Sequence, residues 1–294
     1  MTATGVLPGR IPLTLHAYSI DAVAAVTAWH ALVVVSLLPT RGPVLITPGR
    51  IGLMAATVWL IYTRDRLDDA AVIDPTRPHT LRHAAHRRHA VILRRIWWAI
   101  SAAVAGLAPW ALSPGEFVAA LVGIVGVAGY FAWLRRPGAS RNLWVKEVAI
   151  ASLMAYGVGI PAVVRISDAR AGLATAVTLV VSAGMFLMNC VSVSDRERLL
   201  DSGQGFPSGG WDVGDRRFGR RLATAGGLIA AVLVGRPSGV PGPVLLAATA
   251  AVVLMSVGVS MRPPGASSHG GWPLGGVLDF GLVAAAVLGL VACV

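Results

Sequence analysis

Apolar residues recur along this chain in blocks of roughly twenty, separated by short stretches that collect Arg, Pro and Gly. A block of about that length crosses the ~30 Å hydrocarbon core of a bilayer as an α-helix. About nine spans are expected, near residues 17–39, 48–63, 90–108, 117–134, 143–164, 173–194, 222–235, 240–261 and 274–294. The second and seventh are short and are expected to run on into the polar residues beside them. Pro109, Pro137–Gly138, Arg236–Pro237 and Pro263–Pro264–Gly265 punctuate the pattern. The reading is an all-α, polytopic membrane protein with one transmembrane domain over residues 1–294. Spans two and six both end in acidic clusters, which suggests two four-helix halves plus a ninth helix.

Composition supports this reading. Of 294 residues, 55% are hydrophobic and only 13% charged, against about 25% charged in soluble domains. The net charge is +11, and every basic residue except Lys146 is Arg. In a soluble protein such basicity would suggest nucleic acid. Here the Arg residues lie between apolar blocks, so they set topology, and no nucleic-acid partner is expected; membrane lipids and an anionic substrate are. The loops after spans two, four and six hold Arg64 to Arg95, Arg135, Arg136 and Arg141, and Arg196 to Arg221. The opposite loops hold few: Arg41 and Arg50, Arg165 and Arg170, then Arg236. The positive-inside rule places the Arg-rich loops and the N-terminus in the cytoplasm and the C-terminus outside. The start of the chain has no secretory signal pattern, so the first apolar block is expected to stay as a membrane helix. Cys190 and Cys293 build no disulfide framework. Heavy Arg and Ala use with one Lys suggests a GC-rich bacterial genome, and hence the inner membrane.

About half of the 14 acidic residues fall in two short stretches. In Tyr62-Thr-Arg-Asp65-Arg-Leu-Asp68-Asp69, a continuing helix would put Asp65, Asp68 and Asp69 at i, i+3 and i+4, on one face. Like charges so placed repel, and a hard divalent cation offsets the cost. Mg²⁺ takes oxygen ligands and commonly shares one or two carboxylates with substrate phosphates. In the second stretch Glu197 and Asp201 stand at i and i+4, while Asp195 points away from them. Asn189 lies about two turns deeper in an apolar block, where a buried amide needs a partner. The competing reading is a set of helix-end charges paired with neighbouring Arg in the headgroup layer.

With about nine spans and acidic motifs on the second and sixth, the chain resembles the UbiA superfamily of intramembrane prenyltransferases. Arg64-Asp65-Arg66-Leu67-Asp68 sits where the first Asp-rich motif belongs, and Glu197-Arg-Leu-Leu-Asp201 where the second does. Arg64 replaces the usual Asn and Glu197 an Asp. The resemblance covers nearly the whole chain. It implies nine helices around a central cavity, with Asp65, Asp68, Glu197 and Asp201 catalytic and Asp69 joining them as Mg²⁺ ligands. It also implies a prenyl diphosphate substrate and cytoplasmic cap loops near 64–90 and 195–221.

Arg suits bidentate phosphate contacts. The family's cap loop commonly carries an Arg-Pro pair, as in Arg77-Pro78, so Arg77, Arg82, Lys146 and Asn189 are the expected diphosphate contacts. His79, His83, His86 and His89 include helical spacings but lack Cys or nearby buried carboxylates, which argues against a transition-metal site. Asp21 and Asp279 are intramembrane acids without an assigned role, as is Asp195 at the helix end. The Gly-rich stretch 202–214 has the composition of a lid. The expected activity is ionisation of the prenyl diphosphate and transfer to a lipophilic acceptor. Cyclisation of the prenyl chain, as in the superfamily's membrane terpene cyclases, is the first alternative. A non-enzymatic transporter or lipid-binding protein is the second.

Overall fold

The structure is a computed structural model that describes residues 17–39, 42–74, 76, 77, 79–136, 143–203, 242–244, 283–287 and 290. For 192–203 it describes the helix but not the side chains. Among the described residues there is helix and no strand. The helices are α1 (Ile20–Leu37), α2 (Gly42–Leu45), α3 (Pro48–Val72), α4 (Leu81–Arg88), α5 (Ala90–Ala111), α6 (Pro114–Leu134), α7 (Leu143–Val163) and α8 (Ala169–Gly203).

Local chemistry sets the helix starts. Thr47 caps α3, its hydroxyl accepting from the Arg50 N–H, and Pro48 occupies the first turn, where its missing N–H costs nothing. Thr80 caps α4 by accepting from the His83 N–H. Ser113-Pro-Gly-Glu116 forms a reciprocal capping box on α6. The Asp168 carboxylate accepts from the Ala171 N–H at 2.8 Å at the start of α8. Pro109 and Pro161 sit in the last turns of α5 and α7; each removes the N–H that would bond four residues back, and each helix ends two residues later. Ser19, at φ 60°, turns the chain into α1.

The core lies between α1, α3, α7 and α8. Ala151, Met154, Ala155 and Val158 repeat at i, i+3, i+4 and i+7, and that stripe of α7 is buried against Trp29, Leu32 and Val33 of α1. Val244, Ala285 and Ala286 are buried in the same core. Trp29 meets Phe186 edge-on at 6.4 Å and donates its indole N–H to Ser182 Oγ at 2.9 Å, joining α1 to α8. His30 Nδ1–H donates to the Val158 carbonyl at 2.9 Å, joining α1 to α7. Tyr156 donates to the Ala119 carbonyl between α7 and α6, and Trp97 to the Leu60 carbonyl between α5 and α3. At Gly159 a Cβ would collide with Leu179, so α7 and α8 approach as closely as small residues allow.

Among the described residues, five helices are long and apolar enough to cross a membrane: Ile20–Leu37, Ala90–Ala111, Pro114–Leu134, Val145–Val163 and Ala169–Val191. α5 and α6 turn large apolar side chains outward, Trp98 70%, Trp110 88% and Val125 72% exposed among them. Such faces suit hydrocarbon better than water. The first six expected spans each correspond to a helix. Spans seven to nine lie outside the described residues apart from 242–244, 283–287 and 290.

The segment expected as a cap loop over 64–90 is largely helical. Residues 64–72 continue α3, and 81–88 form α4, the two joined by a short turn. α3 runs unbroken because nothing between Leu53 and Val72 is Gly or Pro. Its 25 residues rise about 37 Å, more than the hydrocarbon thickness, so the Asp-bearing turns extend beyond a bilayer core. Of the second cap, 195–203 belongs to α8 and the remainder lies outside the described residues.

Candidate functional site

Asp65, Asp68 and Asp69 stand on the last turns of α3, and each faces a different neighbour. Asp65 Oδ1 lies 3.9 Å from Lys146 Nζ on the first turn of α7. Asp68 is gripped by Arg64 one turn back, Nε at 3.0 Å and Nη2 at 3.0 Å, and Arg135 at the end of α6 approaches to 3.9 Å. Asp69 lies 3.4 Å from Arg66 Nη1 and 3.8 Å from His83 Nε2 of α4. Four helix ends thus converge on one acidic patch.

The electrostatics favour an ionised Asp69. Burial alone would raise the Asp69 carboxyl, but the contact with His83 and the charges of Lys146 and Arg66 outweigh it. They hold it well below the usual carboxylate range. Four permanent cations, Arg64, Arg66, Arg135 and Lys146, lie within 4 Å of the three carboxylates, so each carboxylate has a cationic partner. His83 Nδ1 also meets the Thr80 hydroxyl at 2.9 Å, which fixes the ring between the α4 cap and Asp69.

Beneath α4, His86 is fully buried, with Nδ1–H donated to the Arg82 carbonyl at 2.9 Å. Burial pushes it down to about 4, with Arg66, His83 and Arg82 adding repulsion. Tyr18 packs on the His86 ring at 6.0 Å and bonds His89 Nδ1 at 2.8 Å, tying the entry of α1 to α4.

Of the residues expected to hold diphosphate, Lys146 belongs to the acidic patch itself. Arg82 is buried on α4 beside it. Arg77 pairs with Asp74 at 3.3 Å in the turn between α3 and α4. The Asp74 carboxyl is held low by hydrogen bonds from the Thr76 hydroxyl and N–H, with the Arg77 charge adding to them. Asn189 is buried on α8, next to Cys190. Glu197 and Asp201 are on the continuing α8, and their side chains lie outside those described, as does that of Asp195. Asp279 lies outside the described residues. Asp21 is buried in the first turn of α1, where its carboxylate accepts from the Ala22 N–H at 3.0 Å; it is a helix-end acid rather than a mid-span one.

Hard oxygen donors at a water boundary suit Mg²⁺, and Asp68, 44% exposed, is the most accessible of the three carboxylates. Among the described residues, no group of three His, Cys, Asp or Glu side chains is arranged to hold a metal ion. A Mg²⁺ ion here would therefore draw on one or two of these carboxylates and on phosphate oxygens.

The sequence reading missed a second charged cluster. Glu116 is fully buried, and its Oε1 accepts from Arg50 at 2.7 Å and from Arg165 at 2.8 Å. It joins the start of α3, the start of α6 and the end of α7. From Arg50 to Asp65 the helix rises about 22 Å, so this lock lies at the opposite end of the bundle from the acidic patch.

No family model, curated protein or solved structure matches the chain.

Proposed function

We propose that this chain is a Mg²⁺-dependent intramembrane enzyme of the UbiA type. It ionises a prenyl diphosphate and transfers the prenyl group to a lipophilic acceptor. The observation that carries the reading is the charge-paired acidic patch at one end of the helices, where Asp65, Asp68 and Asp69 meet Lys146, Arg135, Arg66 and His83. A diphosphate needs cations, and a diphosphate with Mg²⁺ needs carboxylates as well; this patch offers both beside apolar helices.

In this reading Asp65 and Asp68, with Glu197 and Asp201 from α8, hold the metal, and Asp69 orders Arg66 and His83 beside them. Bound Mg²⁺ would neutralise charge on the diphosphate. Lys146, Arg82 and Arg77 stabilise the leaving group as the C1–O bond breaks and its electron pair departs with the diphosphate. The acceptor then bonds to C1 and loses a proton. Apolar walls keep water from the cation. Three further spans complete a nine-helix arrangement around the cavity, and the patch faces the cytoplasm from a bacterial inner membrane.

The test is incubation of purified protein in nanodiscs with Mg²⁺ and prenyl diphosphates of several lengths, with Asp65→Ala and Asp201→Ala as controls. Metal-dependent diphosphate release, abolished by both substitutions, is expected. The organic extract separates transfer, which consumes an acceptor, from cyclisation, which does not. A folded protein that releases nothing from any substrate overturns the proposal.

A further inference from the structure

The buried carboxylate that joins α3, α6 and α7 is outnumbered by its partners. Arg50 Nη1 and Arg165 Nη1 both donate to Glu116 Oε1, at 2.7 and 2.8 Å, and the Ser113 N–H donates to Oε2 at 2.7 Å. Two permanent cations against one carboxylate leave a surplus positive charge. Among the described residues no second carboxylate lies within 4 Å of either guanidinium. Asp168, three residues after Arg165, turns its oxygens to the Ala171 N–H and the Ser167 hydroxyl.

The two arginines also have donors to spare. A guanidinium carries five N–H groups. Arg50 uses Nη1 alone, and Arg165 uses Nη1 for Glu116 and for the Pro161 carbonyl. Among the described residues, Nε and Nη2 of both make no hydrogen bond. Their side chains are 16% and 18% exposed against 0% for Glu116, so the carboxylate is sealed beneath two guanidinium groups that reach the surface.

Their height in the bundle says what anion they meet. Arg50 and Glu116 stand in the first turns of α3 and α6, and Arg165 follows the last residue of α7 closely. At the same end, Trp110 in the last turn of α5 is 88% exposed and Ile166, beside Arg165, is 47% exposed. Exposed Trp at the ends of apolar helices belongs to the headgroup layer of a bilayer. Phosphate is the anion that fills this layer, and the guanidinium fork matches two of its oxygens.

We propose that Arg50 and Arg165 form a phosphate site at the end of the bundle opposite the acidic patch, filled from the bilayer by an anionic phospholipid headgroup. Glu116 holds the two guanidinium groups together, and the phosphate takes the surplus charge and the spare Nε and Nη2 donors. A headgroup with one net negative charge balances the cluster, whereas a zwitterionic one brings its own cation and gains less. The site is separate from the reaction proposed above and does not depend on it.

Two measurements test it. Native mass spectrometry of the full chain in detergent measures binding of phosphatidylglycerol, phosphatidylcholine and inorganic phosphate. Arg165→Gln leaves Glu116 paired with Arg50 and removes only the surplus charge. Wild type is expected to prefer phosphatidylglycerol to phosphatidylcholine, and the tightest phosphatidylglycerol Kd to rise about tenfold in Arg165→Gln. An equal Kd in the folded variant overturns the proposal. Inorganic phosphate that binds wild type but not Arg165→Gln, without preference for the anionic lipid, keeps the phosphate site and overturns the lipid as its source. The second measurement needs no variant. Phosphatidylglycerol with a photoreactive headgroup is reacted with wild type in nanodiscs and the peptides are mapped. Labelling within 44–50, 110–116 and 163–170 supports the site, and labelling confined to other segments overturns it.

Discussion

Lys146 Nζ stands 3.9 Å from Asp65 Oδ1, joining the first turn of α7 to the polar end of α3. The pair is partly exposed, so its worth to stability is about 1 kcal/mol or less; on the function proposed above, the same cation would do far more for a departing diphosphate. Lys146→Met is expected to lower diphosphate release on the order of a hundredfold, as loss of one preorganised charge does. Its Tm in detergent should shift little. Lys146→Arg should restore part of the rate. A Met variant as active as wild type removes Lys146 from the site.

Glu116 behaves differently because it is fully buried between Arg50 and Arg165. Glu116→Gln leaves two guanidinium groups facing a neutral amide and is expected to cost about 3–5 kcal/mol. Equilibrium unfolding in detergent measures this. Activity per folded molecule should hold near the wild-type value, since the acidic patch lies at the other end of the helices.

Much of this was legible from sequence. The period and length of the apolar blocks predicted α1, α5, α6, α7 and α8. The absence of Gly and Pro from Leu53 to Val72 allowed α3 to run on unbroken through its three carboxylates. Other features were hidden because partners are distant in sequence. Glu116 reads locally as a capping-box residue, and its guanidinium partners are 66 and 49 residues away. The available signal was the scarcity of acids on the side that also carries Arg50 and Arg165, where Glu116 and Asp168 stand. His83 was weighed as a metal ligand, yet it orders Asp69 across a turn that sequence spacing does not describe. The cap helix α4 went unassigned because its LRHAAHRR stretch is too polar to show an apolar stripe.

His86 gives a pH dependence with a definite sign. Its folded value, about 4 against an ordinary 6.5, means the unfolded chain takes the proton first. Its contribution is fully present above about pH 6.5 and is lost as pH falls toward 4, by about 3 kcal/mol in all. Asp69, held below the usual carboxylate range, contributes above that range and loses its part only at lower pH. Tm measured from pH 7 to 4 should therefore fall in wild type. The slope should flatten in His86→Leu, whatever the offset between the two proteins. Parallel slopes would remove His86 as the cause.

Ser182 accepts the Trp29 indole N–H and passes its own hydroxyl hydrogen to the Thr178 carbonyl at 2.8 Å. In Ser182→Ala the buried indole donor has no acceptor, at a cost of about 1–3 kcal/mol. Reduced unfolding free energy together with a change in tryptophan emission would report it. A Ser182→Thr variant keeps the acceptor and should lose less.

The Glu116 lock also dictates how the bundle can move. Glu116 pins α3, α6 and α7 together at one end of the bundle through two charge-assisted hydrogen bonds, so separating these helices there would strand a buried charge. At the far tips the same helices are joined by partly exposed pairs, Lys146–Asp65 and Arg135–Asp68, which are worth far less than a buried lock. The bundle is thus fastened firmly at one end and loosely at the other, like a clamp with one tight screw.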